Sequence, residues 1–261
     1  MTAAPAQTPL FDAAGARAID AHAIDVNGIA GIDLMRSASA AAERVVRGRF
    51  PHARRIVVVA GGGNNGGDGC EVARLLAGHG REVRIVRVAT RSAAGDAATT
   101  LADAIAAGVP VAEQPDGDIV HALAEGELVI DALLGTGASG APTGGVARAI
   151  EAIGESGLPV LALDVPSGVD ASTGEAQGAV VHADATVAFH ADKVGLRISP
   201  GRELAGRVMV VPIGIPDGVP VEPAAIGVRD GRSLLPGRTV GGSKYDAGAV
   251  LVIGGSVGMA G

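Results

Sequence analysis

The stretch IVVVAGGGNNGGDGC, from Ile56 to Cys70, decides the fold: five apolar residues run straight into a turn of glycines and short polar side chains. An unbroken apolar run of this kind reads as a strand covered on both faces. The glycines let main-chain N–H groups approach a ligand without Cβ interference, and a helix that follows points its positive end at the same spot. Asn64, Asn65 and Asp68 add side-chain oxygens, which suit a ribose, a carboxamide or a hard cation better than a bare phosphate. A small molecule is the expected ligand.

Outward from this unit, apolar runs alternate with helical stretches, as a parallel α/β sheet requires. Strands are expected over 56–60, 83–88, 109–112, 128–133, 160–164, 185–189 and 208–212, and helices over 69–78, 95–107 and 144–155. The fold class is therefore α/β, a Rossmann-like, three-layer, doubly wound and mostly parallel sheet. Ahead of the first strand, residues 11–50 read as two helices broken near Val26, Asn27 and Gly28. Ala16, Ile19 and Ala23 recur at helical spacing in the first, and Leu34, Met35, Ala38, Ala42, Val45 and Val46 in the second. Such an extension either caps the sheet or meets a second subunit. The second is the expectation, and with it a homo-oligomer.

Composition narrows the function classes. Apolar residues make up 48% of the 261, enough for a substantial core, and the scarcity of aromatics carries no functional weight. A net charge of −7 without a basic cluster argues against a nucleic-acid surface. The single cysteine, Cys70, cannot form an internal disulfide, and residues 1–9 have neither a basic start nor an apolar core of a signal peptide. A cytoplasmic location is expected. Cys70 has no histidine close in sequence to act as a base, so it reads as a small packing residue. No apolar run approaches the ~20 residues of a membrane span.

Gly61, Gly63 and Gly66 also fit the dinucleotide spacing G-x-G-x-x-G, a weak signal alone. The carboxylate that should end the second strand is missing. Arg87 and Arg91 stand near that strand's end and could take a 2′-phosphate, which keeps an NADP-dependent oxidoreductase as an alternative. A non-catalytic nucleotide-binding module is the third reading, and a glycine turn needed only for close packing is the plainest one.

Ligands in open α/β sheets bind beyond the carboxyl ends of the strands. Three of those ends carry polar turns. The first is the loop at 61–70. The second, DALLGTGASGAPTGG, has Asp131 near its strand end and a glycine-rich turn over 135–140. The third, DVPSGVD, has Asp164 at its tip and turns through Pro166, Ser167 and Gly168. Asp164, at a strand tip beside a glycine turn, reads either as a carboxyl whose pKa partial burial would raise or as a turn-capping carboxylate. The histidines, His182 and His190 included, lack metal-ligand spacing and read as ordinary surface or core residues.

Taken in order, NNGGDG, DALLGTG, DVPSG and FHADKVGL (189–196) resemble the NAD(P)H-hydrate epimerases, over about residues 10–216. The segment LMRSAS, 34–39, resembles that family's leucine-methionine segment but has Arg36 and Ser39 where an acid and a glycine are usual, a departure that bears on helix packing or subunit contact. The resemblance implies an enzyme that interconverts the R and S forms of hydrated NADH and NADPH. The hydroxylated C6 of their nicotinamide ring also bears the ring nitrogen, whose lone pair can expel the oxygen once an acid protonates it. Water then returns to either face; opening to an aldehyde and reclosing is a second route. One well-placed acid/base group suffices for such chemistry, typically worth about 10² to 10⁴ in rate.

By the same resemblance, Asp164 and Lys193 are the catalytic candidates. Nucleotide contacts fall to Asn64, Asn65, Gly66, Gly67, Asp68, Gly135, Thr136, Gly137, Ala138, Ser139, Gly140, Ala141 and Asp164, and a potassium ion to Asn65, Asp131 and Ser167. The end of the sequence, KYDAGAVLVIGGSVGMAG from Lys244 to Gly261, resembles the opening of the ADP- or ATP-dependent NAD(P)H-hydrate dehydratases. The expectation is an epimerase domain over 1–222 and the start of a ribokinase-like dehydratase domain over 223–261, without dehydratase activity in this chain.

Overall fold

The computed structural model describes residues 7–228, and the compact unit Pro9–Ala225 carries the architecture. In chain order its elements are β1 (Gln7–Phe11), α1 (Ala13–Asp25), α2 (Gly31–Arg49), β2 (Arg55–Ala60), α3 (Asn64–Gly78), β3 (Glu82–Arg87), α4 (Gly95–Ala106) and β4 (Val111–Glu113). There follow α5 (Val120–Leu123), β5 (Leu128–Ala132), α6 (Gly144–Ser156), β6 (Val160–Leu163), β7 (Ala185–Phe189), β8 (Asp192–Lys193), α7 (Gly201–Leu204) and β9 (Arg207–Val211). The main sheet has seven strands in the order β4-β3-β2-β5-β6-β7-β9, and every pairing in it is parallel. All seven expected strands are present.

Successive strand residues point to opposite faces, so the two-sided apolar runs divide into two cores. Ile56, Val58, Ile85, Ile130 and Leu161 pack with Val46, Val72, Leu76 and Ala104 on one face. Val57, Val59, Val86, Val129 and Ala162 pack with Leu123, Ala149, Ile150 and Ile153 on the other. The result is the three-layer sandwich expected. Cys70 lies in the first core, where burial pushes its thiol up to about 11, so it packs and does not react.

The strand order reverses between β2 and β5, and open sheets of this kind bind ligands in the crevice at that reversal. Gly61 N donates to Ala132 O at 2.9 Å across the crevice. A side chain at Gly61 would collide with the carbonyl of Leu133, so glycine is required there.

One expectation needs correction: the Asn-Asn-Gly-Gly segment is not a loop, since α3 begins at Asn64 with Gly63 as its N-cap. Gly66, Gly67 and Gly69 are therefore helical and serve close packing. A Cβ on Gly66 would strike Gly61 O, one on Gly67 would lie 2.8 Å from Ala97 Cα, and one on Gly69 2.5 Å from Ala132 Cβ. The N-terminal helices also bury apolar residues within their own chain. Ala42 and Val46 of α2 join the first core, while Ile19 and Ala23 of α1 pack with Leu34, Ala191, Ile213 and Ile215 beyond the ends of β7 and β9. The unusual Ser39 is fully buried, and its hydroxyl donates to Met35 O at 2.8 Å and to Asp68 O at 3.2 Å, tying α2 to α3. Arg36 reaches Asp103 of α4 at 3.1 Å.

No helix among the described residues is long and apolar enough to cross a membrane. The expected second domain, 223–261, falls almost wholly outside the described residues.

Candidate active site

A cavity of about 600 Å³ opens over the carboxyl ends of β2, β5 and β6, within the range of small-molecule sites. Its floor is Gly61, Gly62 and Gly63 with Asn64, Asn65 and Asp68 of α3, the turn of Gly135, Thr136, Gly137 and Ala138, and Asp164 and Lys193. α1 and α2 form the opposite wall through Ala16, Asp20, Leu34 and Met35. The three motifs meet at Gly135: a Cβ there would lie 3.1 Å from Asp164 Oδ2 and 3.2 Å from Asn65 Cβ.

Asp164 follows β6 in a left-handed conformation, φ 68°, held by its N–H donating to Val187 O at 2.8 Å. His190, φ 54°, follows β7 in the same way, its N–H donating to Val211 O at 2.8 Å. Non-glycine residues in this region are uncommon and concentrate at functional sites. Between them, Lys193 is 2% exposed. Its Nζ donates to Asp164 Oδ1 at 2.6 Å and to Phe189 O at 3.0 Å, while Thr136 N donates to Asp164 Oδ2 at 2.8 Å.

This engagement reverses an expectation. Burial alone would raise the Asp164 carboxyl, but the Lys193 ammonium and the Thr136 donors outweigh it and hold the group below the ordinary carboxylate range. Asp164 is a carboxylate with both oxygens occupied, not a poised acid. Asp68 goes the other way: burial first, then the negative fields of Asp164 and Asp20, push it well above the usual range. Asp20 is pushed up to about 6 by burial, the nearby Lys193 opposing and Asp164 reinforcing. Asp20 is exposed by accessible surface and lines the cavity, so burial acts on it less completely than on Asp68.

Beneath the cavity, Asp131 is fully buried, and among the described residues no cationic side chain contacts it. It accepts from Ser167 Oγ at 2.6 Å, Ser167 N at 2.8 Å and Leu133 N at 3.2 Å. Ser167 Oγ accepts in turn from Leu134 N at 2.9 Å, and Asn65 Nδ2 donates to Leu134 O at 2.8 Å. Among the described residues, Asn65 Oδ1 and Thr136 Oγ1 are buried with no partner. Asn65, Asp131 and Ser167 thus form one linked oxygen-rich cluster. Among the described residues no three His, Cys, Asp or Glu side chains gather as a metal site. The cluster's donors are one carboxylate with amide, hydroxyl and carbonyl oxygens, a set suited to a hard cation.

Several expected contacts lie elsewhere. Gly66 and Gly67 do not line the cavity, and Ser139 and Gly140 line a separate small cleft with Gly168 and Gln177. Ala141 lines neither. Arg87, 6% exposed, is paired with Glu113, so it is not free to receive a 2′-phosphate. His190, taken for an ordinary residue, stands on the cavity wall, its imidazole pKa lowered by burial and then by Lys193. Asp20 carried a signal: an acid at the helical spacing of Ala16, Ile19 and Ala23 sits inside an apolar stripe.

Fold and cavity together define a doubly wound α/β protein with a nucleotide-sized, carboxylate-rich site at its strand ends. A family model described as YjeF-related protein N-terminus matches residues 31–195. The NAD(P)H-hydrate epimerase of Limosilactobacillus fermentum is 40% identical over 199 residues, 76% of this chain and 93% of that protein. The epimerase of Pirellula staleyi is 36% identical over 79% of this chain and 93% of its own length. The bifunctional NAD(P)H-hydrate repair enzyme Nnr of Coxiella burnetii is 36% identical over 97% of this chain and 52% of its own length. The chain spans about half the length of the bifunctional relatives it matches. The crystal structure of yeast YNL200c shares the fold, with a TM-score of 0.68 at 20% identity over 78% of this chain and 87% of that one. The chain belongs to the YjeF N-terminal family of NAD(P)H-hydrate epimerases.

Proposed function

We propose that this chain interconverts the R and S forms of hydrated NADH and NADPH in the cavity over β2, β5 and β6. The observation that carries the reading is the Lys193–Asp164 pair at 2.6 Å on the cavity floor, flanked by glycine turns open to a nucleotide. Loss of the C6 hydroxyl as water leaves a positive charge shared by C6 and the ring nitrogen. A carboxylate fixed beside that charge stabilises the transition state without reorganising, the largest effect many active sites deploy. Asp164 fills this role, and Lys193 keeps it ionised and oriented. The N-terminus of α3 and the main-chain N–H groups of Gly62 and Gly63 face the pyrophosphate. Thr136 and Asn64 supply polar contacts along the same wall.

Potassium fits the cluster beside the site. Among the described residues, Asn65 Oδ1 lacks a partner and Asp131 lacks a counter-charge. Asn65, Asp131 and Ser167 would hold the ion, with the Leu134 carbonyl nearby. Its chemistry is to neutralise Asp131 and stiffen the turn that carries Thr136 and Gly135.

The same reading assigns residues 223–261 to the start of a second domain, with nucleotide-dependent dehydration of the hydrate as its activity in a full-length protein. Alignment of 97% of this chain to a bifunctional relative supports that division. A homo-oligomer is also proposed, supported by the exposed apolar side chains of Ile24 and Val26 at the end of α1; light scattering on the purified protein tests it. For the activity itself, purified R-form hydrated NADPH is supplied and its conversion to S is followed by chromatography against the uncatalysed rate. Acceleration supports the proposal, and none from folded protein refutes it.

A further inference from the structure

Asp164 leaves the reaction without a proton donor, because both its oxygens are engaged and its carboxyl is held ionised. The C6 hydroxyl is a poor leaving group unless something protonates it, so the cavity must hold a second, protonated group. The charged and titratable side chains on its walls are Arg17 and Asp20 of α1, Asp68 of α3, Asp96, Asp164, and the pair His190 and Lys193. Lys193 is committed to Asp164. His190 is driven toward its neutral form by burial and by Lys193, which makes it a weak donor near neutral pH.

Asp68 stands apart. It is 8% exposed yet lines the cavity, on the face of α3 that also carries Asn64 and Asn65. Only its backbone carbonyl is tied down, by Ser39 Oγ at 3.2 Å. Among the described residues its carboxyl has no hydrogen-bond partner, and what acts on it is burial and the charges of Asp164 and Asp20. An unpartnered carboxyl this enclosed is costly to leave ionised and is stable as the neutral acid. Two carboxyls in one site driven in opposite directions are the arrangement that separates an acid from a carboxylate at one pH.

We propose that Asp68 is the proton donor of the epimerisation, acting on the C6 hydroxyl while Asp164 faces the charge that develops on the ring. This rests on the epimerase reading above. Asp68 gives its proton to the hydroxyl oxygen. The C6–O bond breaks with its electron pair on the departing water, and the nitrogen lone pair closes the C6–N double bond. Water then adds to C6, the pair returns to nitrogen, and the carboxylate on Asp68 takes the surplus proton. It does so directly when water returns to the same face and through cavity water when it returns to the other. The acid is regenerated and nothing is oxidised or reduced.

Asp68→Asn tests the assignment, since an uncharged isostere matches the neutral acid and should leave α3 intact. Melting temperature and binding of NADP⁺ by calorimetry are measured beside R-to-S conversion. The expected result is a kcat lower by about 100-fold or more, with NADP⁺ affinity and KM changed little. A folded variant with wild-type kcat, or one impaired only in KM, overturns the assignment. Independently of any variant, wild-type kcat should fall as pH rises through the donor's titration, well above the ordinary carboxylate range. A kcat that rises with pH, as for a group that must lose its proton to act, overturns it as well. Wild-type protein that fails to accelerate conversion sinks the functional reading itself, whereas acceleration with full activity in Asp68→Asn sinks only Asp68.

Discussion

Lys193 Nζ lies 2.6 Å from Asp164 Oδ1, and this pair joins β8 to the tip of β6 with the ammonium 2% exposed. A buried cation with a single carboxylate partner makes each residue dependent on the other. Removing Asp164 strands a charge away from water, which typically costs about 3–5 kcal/mol. Asp164→Ala should therefore lose both activity and stability. Replacing the two residues together, Asp164→Asn with Lys193→Met, should cost less stability than the sum of the single changes. A double-mutant cycle by urea unfolding measures the coupling, and strict additivity would contradict the pair's importance.

The same pair sets a pH dependence. Asp164 titrates below its unfolded value of about 3.8, so its contribution to stability is present above that value and lost as pH falls through the lower, folded one. Wild type and Asp164→Asn should therefore differ most in unfolding free energy above about pH 5, and the gap should narrow as pH falls below about 4. Urea titrations at several pH values check this. A gap that widens toward acid would contradict it.

Gly67 separates packing from binding. A methyl there would sit 2.9 Å from Ala97 Cβ and 3.0 Å from Met35 Cε. Gly67→Ala should lower stability by about 1–3 kcal/mol, the usual range for overpacking. KM for the hydrated dinucleotide should stay within about twofold, because this glycine does not line the cavity. A large rise in KM at unchanged stability would restore it to the ligand contacts.

Potassium should stabilise the folded chain by mass action, roughly 3 kcal/mol at a hundredfold excess over Kd. Melting temperature in potassium chloride is compared with that in tetramethylammonium chloride at equal ionic strength. Wild type should melt higher in potassium, and Asp131→Ala should show no difference. Equal melting of wild type in both salts would remove the ion from Asn65, Asp131 and Ser167.

The sheet was legible because its strands are short apolar runs closed by turn formers, and all seven fall where those runs do. The start of α3 was not. Glycine and asparagine favour turns locally, but Gly66, Gly67 and Gly69 become helical because tertiary packing leaves no room for a Cβ. Asp164 and Lys193 were readable as candidates from their motifs. Their ion pair was not, since the two lie 29 positions apart and meet only once β6 has paired with β7. For the same reason the direction of the Asp164 titration is not legible in the sequence: burial can be inferred from a strand tip, but a partner from a later loop cannot. Asp20 and His190 were missed because α1 folds back over the strand ends, a long-range contact invisible to local periodicity.

The most direct measurement is the initial rate at which pure R-form hydrated NADPH equilibrates with S, for wild type beside Asp164→Asn, at a temperature where melting curves show both folded. Wild type should exceed the uncatalysed rate, and the variant should fall by about 10²-fold or more toward it. Equal rates in the two proteins, or a wild-type rate no faster than the uncatalysed one, would contradict the assignment of the reaction to this cavity.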